Sequence, residues 1–301
     1  MTATRFDLKS DDGQMLAAYC HEPDRPLRAG IVIAPAMAVP QAFYADHAAF
    51  LARQGFRVWT FDYRGIAESA QGSMRHCTAD ISDWITRDFD AVVRHATASL
   101  DGRPLFVLGH SLGGQAAPLL PSIAKVSGLV NIAVGSGSIR HNQPRVKRTA
   151  PLLWYVLAPL LCPLFGYFPG VRIGIIGDIP RRALFQWRRW CLAHEYLLSA
   201  EPGAREAYAG ARYPVLGLTF ADDELLLEVG SRMLHAAYSG TQVDYRVISP
   251  QQFGLRRIGH FGFFKSAQGE SLWPLVSAWL HEQCAAMAAR TAPGTRAALR
   301  G

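Results

Sequence analysis

A chain of 301 residues, half of them apolar, has the material for one large α/β domain with an insertion, or for two smaller domains. Its five cysteines (Cys20, Cys77, Cys162, Cys191, Cys284) are scattered and include no C-x-x-C pair. That argues against a disulfide framework or a zinc cage and fits a reducing, cytoplasmic setting, as does an N-terminus with no apolar signal-like run. The net charge of +7 is unevenly spread: residues 139–190 hold nine Lys and Arg against Asp178 alone, so nine minus one leaves +8 there and about −1 elsewhere. No recognition motif or basic–aromatic repeat accompanies this excess, so no nucleic-acid partner is expected.

In chain order, Thr4 to Lys9 and Gln14 to Cys20 read as two strands of a hairpin turning at Asp11-Asp12-Gly13. Short apolar runs follow at Ile31–Ala34, Phe56–Phe61, Leu105–Leu108, Gly128–Val134, Val215–Phe220 and Val243–Ile248. Runs this apolar, without alternation, suit strands covered on both faces in a parallel sheet. Between them, Ile81, Trp84, Ile85, Phe89, Val92, Val93 and Ala96 recur at helical spacing, with Asp88 at the edge of the stripe. Alternating strands and helices predict a doubly wound α/β sheet.

The alternation breaks between Ile139 and Ala211, a stretch rich in proline, tryptophan and arginine. The expected organisation is a core of residues 1–138 and 212–284, a helical cap at 139–211, and a disordered tail at 285–301. The apolar run Thr149–Phe168 approaches the length of a membrane span, but Pro151, Pro159 and Pro163 are expected to interrupt it. Its basic flanks leave peripheral contact with a membrane surface as an expectation.

Gly109-His110-Ser111-Leu112-Gly113 is a G-x-S-x-G motif, followed by Gly114. It lies directly after the strand Leu105–Leu108 and opens into a helical stretch at Gln115–Leu120, the strand–turn–helix setting of a nucleophile elbow. A serine hydroxyl is a weak nucleophile, so it needs a base and a group to orient that base, found in the order serine, acid, histidine. Of the later histidines, His141 and His194 fall in or beside the cap, and His235 and His281 lie in helical patterns. His260 alone lies in a loop after the last strand, between glycines and aromatics. The acid is expected after the penultimate strand, where Asp222, Asp223 and Glu224 are consecutive. Spacing favours Asp223, with Asp222 as the alternative, and the residue not used is expected to be solvated or to cap a helix. Backbone N–H groups of Leu112 and Met37, or else Ala36, are the expected oxyanion donors.

These segments, with Asp62-Tyr63-Arg64-Gly65-Ile66-Ala67-Glu68-Ser69 and Leu164–Gly170, resemble bacterial α/β hydrolases of the serine-aminopeptidase-like and monoacylglycerol-lipase-like kind. The resemblance covers nearly the whole chain. It implies the α/β-hydrolase fold and a structural Asp62, bonded to loop backbone near Arg64 and Gly65. Many members of that group carry His-Gly where this chain has Pro35-Ala36.

Ser111 at the elbow speaks against dehalogenases and epoxide hydrolases, which use a carboxylate nucleophile. The expected function is hydrolysis of a small-molecule ester or thioester through an acyl-enzyme, with no metal or organic cofactor. Acyl transfer by the same triad is the alternative, and a non-catalytic binder on a hydrolase scaffold is the rival of another class. The large apolar residues from Leu152 to Phe165 are too many for a solvent-facing surface, and some are expected to line the route to Ser111.

Overall fold

The computed structural model describes residues 3–291. Its strands are β1 (Thr4–Lys9), β2 (Met15–His21), β3 (Ala29–Ala34), β4 (Phe56–Phe61), β5 (Leu105–His110), β6 (Gly128–Ile132), β7 (Tyr167–Phe168), β8 (Ile179–Pro180), β9 (Val215–Phe220) and β10 (Val243–Ile248). Eight of them form one sheet in the order β1-β2-β4-β3-β5-β6-β9-β10, while β7 and β8 make a separate small ribbon. The β1–β2 hairpin is antiparallel and β2 runs antiparallel to β4; every pairing from β4 onward is parallel. β5 continues two residues beyond its expected end, so the strand leads straight into Ser111. β6 stops short of Val134 because Ala133 leaves extended geometry at φ +52°.

Successive side chains of a strand point to opposite faces, and here both faces are covered. Val32, Trp59, Phe61, Val107 and Leu129 face one core, built with the helical segment 81–98 and the cap. Ile31, Ile33, Val58, Phe106, Leu108, Val130 and Leu218 face the other, under the helices Ala45–Arg53 and Ser266–Thr291. The terminal helix passes the expected tail boundary at Ala285, carried by the strong helix formers Ala285, Ala286, Met287, Ala288 and Ala289. Residues 292–301 of that tail lie outside the described residues.

Segment 81–98 departs from its expected pattern at one point. It starts at an Asp80–Asp83 capping box and widens into a π-helical stretch at Trp84–Phe89. The wider turn brings Asp88 inward from the edge of the apolar stripe, where it is completely buried and accepts from Arg64 Nε at 2.7 Å and Arg64 N at 2.9 Å.

The segment expected as a cap leaves the sheet after β6 and returns to it at β9. Its longest part is one helical run, Pro144–Phe165, and the three prolines do not break it. All three are exposed, so the carbonyls they leave unpaired face water, and a π-helical stretch at Leu153–Leu157 absorbs the disturbance after Pro151. A second correction concerns the large apolar residues of this run. Leu152, Tyr155, Val156, Leu160 and Leu164 are exposed, and only Trp154, Ala158 and Cys162, with Ala150, are buried on its inner side. The cap is tied to the core by Gln186 Oε1, which accepts from Ile81 N at 2.7 Å, and by Tyr196 and Tyr208, which donate to Gln115 at 3.0 and 2.8 Å.

Candidate active site

Ser111 sits at the carboxyl end of β5 with φ +48° and ψ −112°, a backbone state that ordinary residues avoid. The turn closes only because its neighbours lack side chains. A Cβ on Gly109 would lie 2.2 Å from Gly114 N, and one on Gly113 would lie 2.2 Å from Ala34 O. The helix Leu112–Ala116 therefore starts against the end of β3. Among the described residues, the N–H groups of Leu112 and Gly113 have no partner one turn back, as at any helix start, while those of Gly114 and Gln115 donate to the Ser111 carbonyl.

The loop after β3 supplies the other side of this niche. Ala36 N donates to Tyr44 Oη at 2.9 Å, which removes Ala36 from the pair of expected oxyanion donors. Met37 N and Leu112 N donate to no other group among the described residues.

Three consecutive acids after β9 divide their work. Asp223 Oδ2 accepts from His260 Nδ1 at 2.7 Å, both side chains being 3 % exposed. Its other oxygen accepts from Leu225 N and Leu226 N at 2.8 and 2.9 Å, which fixes the carboxylate plane. Asp222 is half-buried and caps no helix: its oxygens accept from Ile258 N at 2.8 Å and Gly259 N at 3.0 Å. Glu224 accepts from His260 N at 3.0 Å and pairs with Arg257 at 3.2 Å. So Asp223 holds the imidazole, while its two neighbours hold the backbone that carries it. Gly259, at φ +65°, lets the loop turn between these anchors. A carboxylate only accepts, so Nδ1 carries the proton and the Nε2 lone pair of the neutral ring is left free.

A further link went unread in the sequence. Tyr44 Oη lies 2.9 Å from His110 Nδ1, and His110 Nε2 lies 3.0 Å from the carbonyl of His260. Only one proton arrangement satisfies the set: Ala36 N–H donates to Tyr44, the Tyr44 hydroxyl donates to His110 Nδ1, and His110 Nε2–H donates to His260. Burial, aided by the neighbouring His260, pushes the His110 pKa well below the ordinary histidine value and keeps the ring neutral. The loop after β3, the residue before Ser111 and the loop that carries His260 are thus bonded in series. The His110 and His260 rings lie 5.4 Å apart, and Phe43, Phe261 and Phe264 pack around His110. Ser111 Oγ makes no hydrogen bond among the described residues; the serial link joins the residue before it to the loop that carries His260.

Asp62 is structural, but with partners other than those expected. It accepts from Gln41 N at 2.7 Å, Gln41 Nε2 at 3.1 Å and Glu68 N at 3.2 Å. Arg64 turns away to Asp12 and Asp88. The polar cleft of about 390 Å³ beside it contains no member of the Ser111 group, and its charges are satisfied internally by Asp12, Asp83 and Asp80 against Arg64, Arg87 and Arg182.

Residues 25–165 match the family model described as "Serine aminopeptidase, S33"; the match takes in the oxyanion loop and the elbow and ends before Asp223 and His260. Among solved structures, the chain is similar to a soluble variant of monoglyceride lipase from Saccharomyces cerevisiae in complex with a substrate analog. That similarity has a TM-score of 0.69 and 16 % identity over 94 % of this chain and 96 % of the lipase. It is also similar to DcsB in complex with its substrate analogue (TM-score 0.64, 15 % identity, 94 % and 99 % covered). A highly thermostable carboxyl esterase from Bacillus coagulans follows (TM-score 0.60, 13 % identity, 94 % and 99 % covered). Identities this low bear on the fold alone, and the fold is that of the α/β-hydrolases.

Proposed function

We propose that the protein hydrolyses carboxylic esters or thioesters through an acyl-enzyme on Ser111, with His260 as base and Asp223 as its orienting acid. The observation that carries this reading is the buried 2.7 Å bond from His260 Nδ1 to Asp223, which leaves Nε2 as the proton acceptor beside the elbow. Nε2 takes the Ser111 proton as Oγ attacks the substrate carbonyl, and the Met37 and Leu112 N–H groups hold the oxyanion. Asp223 stabilises the imidazolium without taking its proton. The C–O or C–S bond then breaks as His260 protonates the leaving group. Water, deprotonated by the same nitrogen, attacks the acyl-enzyme and regenerates Ser111.

Each oxyanion donor is worth on the order of 3 kcal/mol to the transition state, which backbone groups supply only if the two loops are rigidly placed. The serial link through Tyr44 and His110 supplies that rigidity. The names of the similar lipase and esterase point to the same substrate class. Labelling with a fluorophosphonate probe tests the proposal. The native chain is expected to be labelled at Ser111, and Ser111→Ala is expected to lose both label and turnover, kcat falling roughly 10⁴-fold or more. Labelling elsewhere, or activity that survives Ser111→Ala, would overturn it.

A further inference from the structure

The helical run Pro144–Phe165 is apolar on two opposite sides. Ala150, Trp154, Ala158 and Cys162, four residues apart, are buried against the molecule. Leu152, Val156, Leu160 and Leu164 have the same spacing, offset by half a turn, and face outward with Tyr155; Leu160 and Leu164 are 62 % and 64 % exposed. At 22 residues the run is about 33 Å long. The outward stripe continues into the next segment through Val171 and Ile175, 69 % and 51 % exposed.

Cations surround this surface. Arg145, Lys147 and Arg148 are exposed at the amino end of the run. Arg172 lies over the Phe165 ring at 5.6 Å at the other end, and Arg188 lies over Tyr155 at 5.3 Å midway. None of these five forms an ion pair among the described residues. The single acid of the stretch, Asp178, accepts from Val171 N at 3.0 Å. Aliphatic stems and rings below, with unpaired positive heads at the rim, match the boundary between acyl chains and anionic headgroups.

We propose that this outer face docks on an anionic lipid bilayer, the run lying in the plane of the interface with its inner side still held by the protein. The anchoring of Trp154, Ala158 and Cys162 in the core excludes a span surrounded by lipid. The position of the face gives docking a consequence. Gly177, just beyond Ile175, lies so close to the oxyanion loop that a Cβ there would be 2.6 Å from Ala38 O. The apolar rim and the oxyanion loop are neighbours, so a bilayer-dissolved acyl substrate has a short path to Ser111. That consequence rests on the ester-hydrolase reading; the docking itself does not.

Co-sedimentation of the full chain with vesicles separates the two. It is run on Ser111→Ala, which cannot turn over lipid, with phosphatidylcholine vesicles and with equal mixtures of phosphatidylcholine and phosphatidylglycerol. The protein is expected to sediment with the mixed vesicles, more weakly with the neutral ones, and to be released by salt. Leu160→Asp/Leu164→Asp should lower the partition coefficient on the order of a hundredfold with an unchanged melting temperature. Replacing Arg145, Lys147 and Arg148 by Gln should weaken binding to the mixed vesicles only. Failure to sediment with either vesicle type would overturn the proposal. So would a double variant that is folded yet partitions like its parent, or a wild-type dimer in size-exclusion chromatography that the same double variant dissolves. A chain that binds vesicles but resists the fluorophosphonate keeps the docking surface and loses the catalytic reading.

Discussion

The two ends of the β5–β6–cap segment are built on opposite terms. Around the elbow, the groups that orient the machinery are closed on one another: Ala36, Tyr44, His110 and His260 in one series, and Asp222, Asp223 and Glu224 on another. On the outer face of Pro144–Phe165, leucines lie uncovered and, among the described residues, its arginines have no counter-charge. Closed bonding suits chemistry, since a donor misplaced by an ångström loses its effect. Open apolar and charged surface suits attachment, where many interchangeable contacts suffice. The difference fits the two proposals, a reaction at the sheet and attachment through the segment inserted after β6.

Substitutions inside the closed region should then cost far more catalysis than any on the open face. The largest contrast lies between neighbours. Asp223→Asn should lower kcat about 10⁴-fold by losing the imidazole orientation, whereas Asp222→Asn, which still offers one backbone acceptor, should lower it only about tenfold. Steady-state rates with a soluble p-nitrophenyl ester measure both, and equal losses would erase the division of labour read from the structure.

Next in size is an acid limb of stability. Burial lowers the pKa of His47 to about 3 and of His235 to about 4, while the same groups in the unfolded chain titrate at the ordinary histidine value. Above that value both states bind no proton and no stability is lost. As pH falls below it, the unfolded chain takes up protons that the folded chain refuses, so stability declines. By about pH 5 the decline is about 2 kcal/mol for each such ring. His47→Leu should flatten the urea-midpoint profile between neutral and acid pH; a slope unchanged from the native chain would refute the assignment.

The smallest effect sharpens the serial link itself. Tyr44→Phe strands Ala36 N–H and His110 Nδ1, and should lower kcat about tenfold with KM nearly unchanged. If the hydroxyl only stabilised the fold, the melting temperature would drop while kcat stayed constant.

The sequence carried the elbow because its demands are local: two glycines flank a serine at the end of an apolar strand, and a Cβ on either would lie 2.2 Å from a neighbouring backbone atom. The strands were legible for the same reason, their runs being short and unbroken. Asp223 was favoured over Asp222, but the separate duties of the three acids emerge only when residues 258–260 are brought against them from 36 positions or more away. Tyr44 gave no signal at all, since a tyrosine near the start of an apolar helix looks like core. Asp88 and the cap prolines misled in opposite ways. One was drawn inward by a π-helical turn, and the others were tolerated because their stranded carbonyls meet water.

Two imidazoles stand side by side at this site, yet only one can serve as a proton acceptor. The nitrogens of His110 are both committed, one receiving and one giving, so a proton arriving there would have to eject the tyrosine hydroxyl that faces it. If Ser111 and His260 act as proposed, His110 is no rival acceptor for the serine hydrogen. On the proposed reading, the catalytic proton would be confined to a shuttle between serine, base and leaving group by a second histidine that is chemically mute.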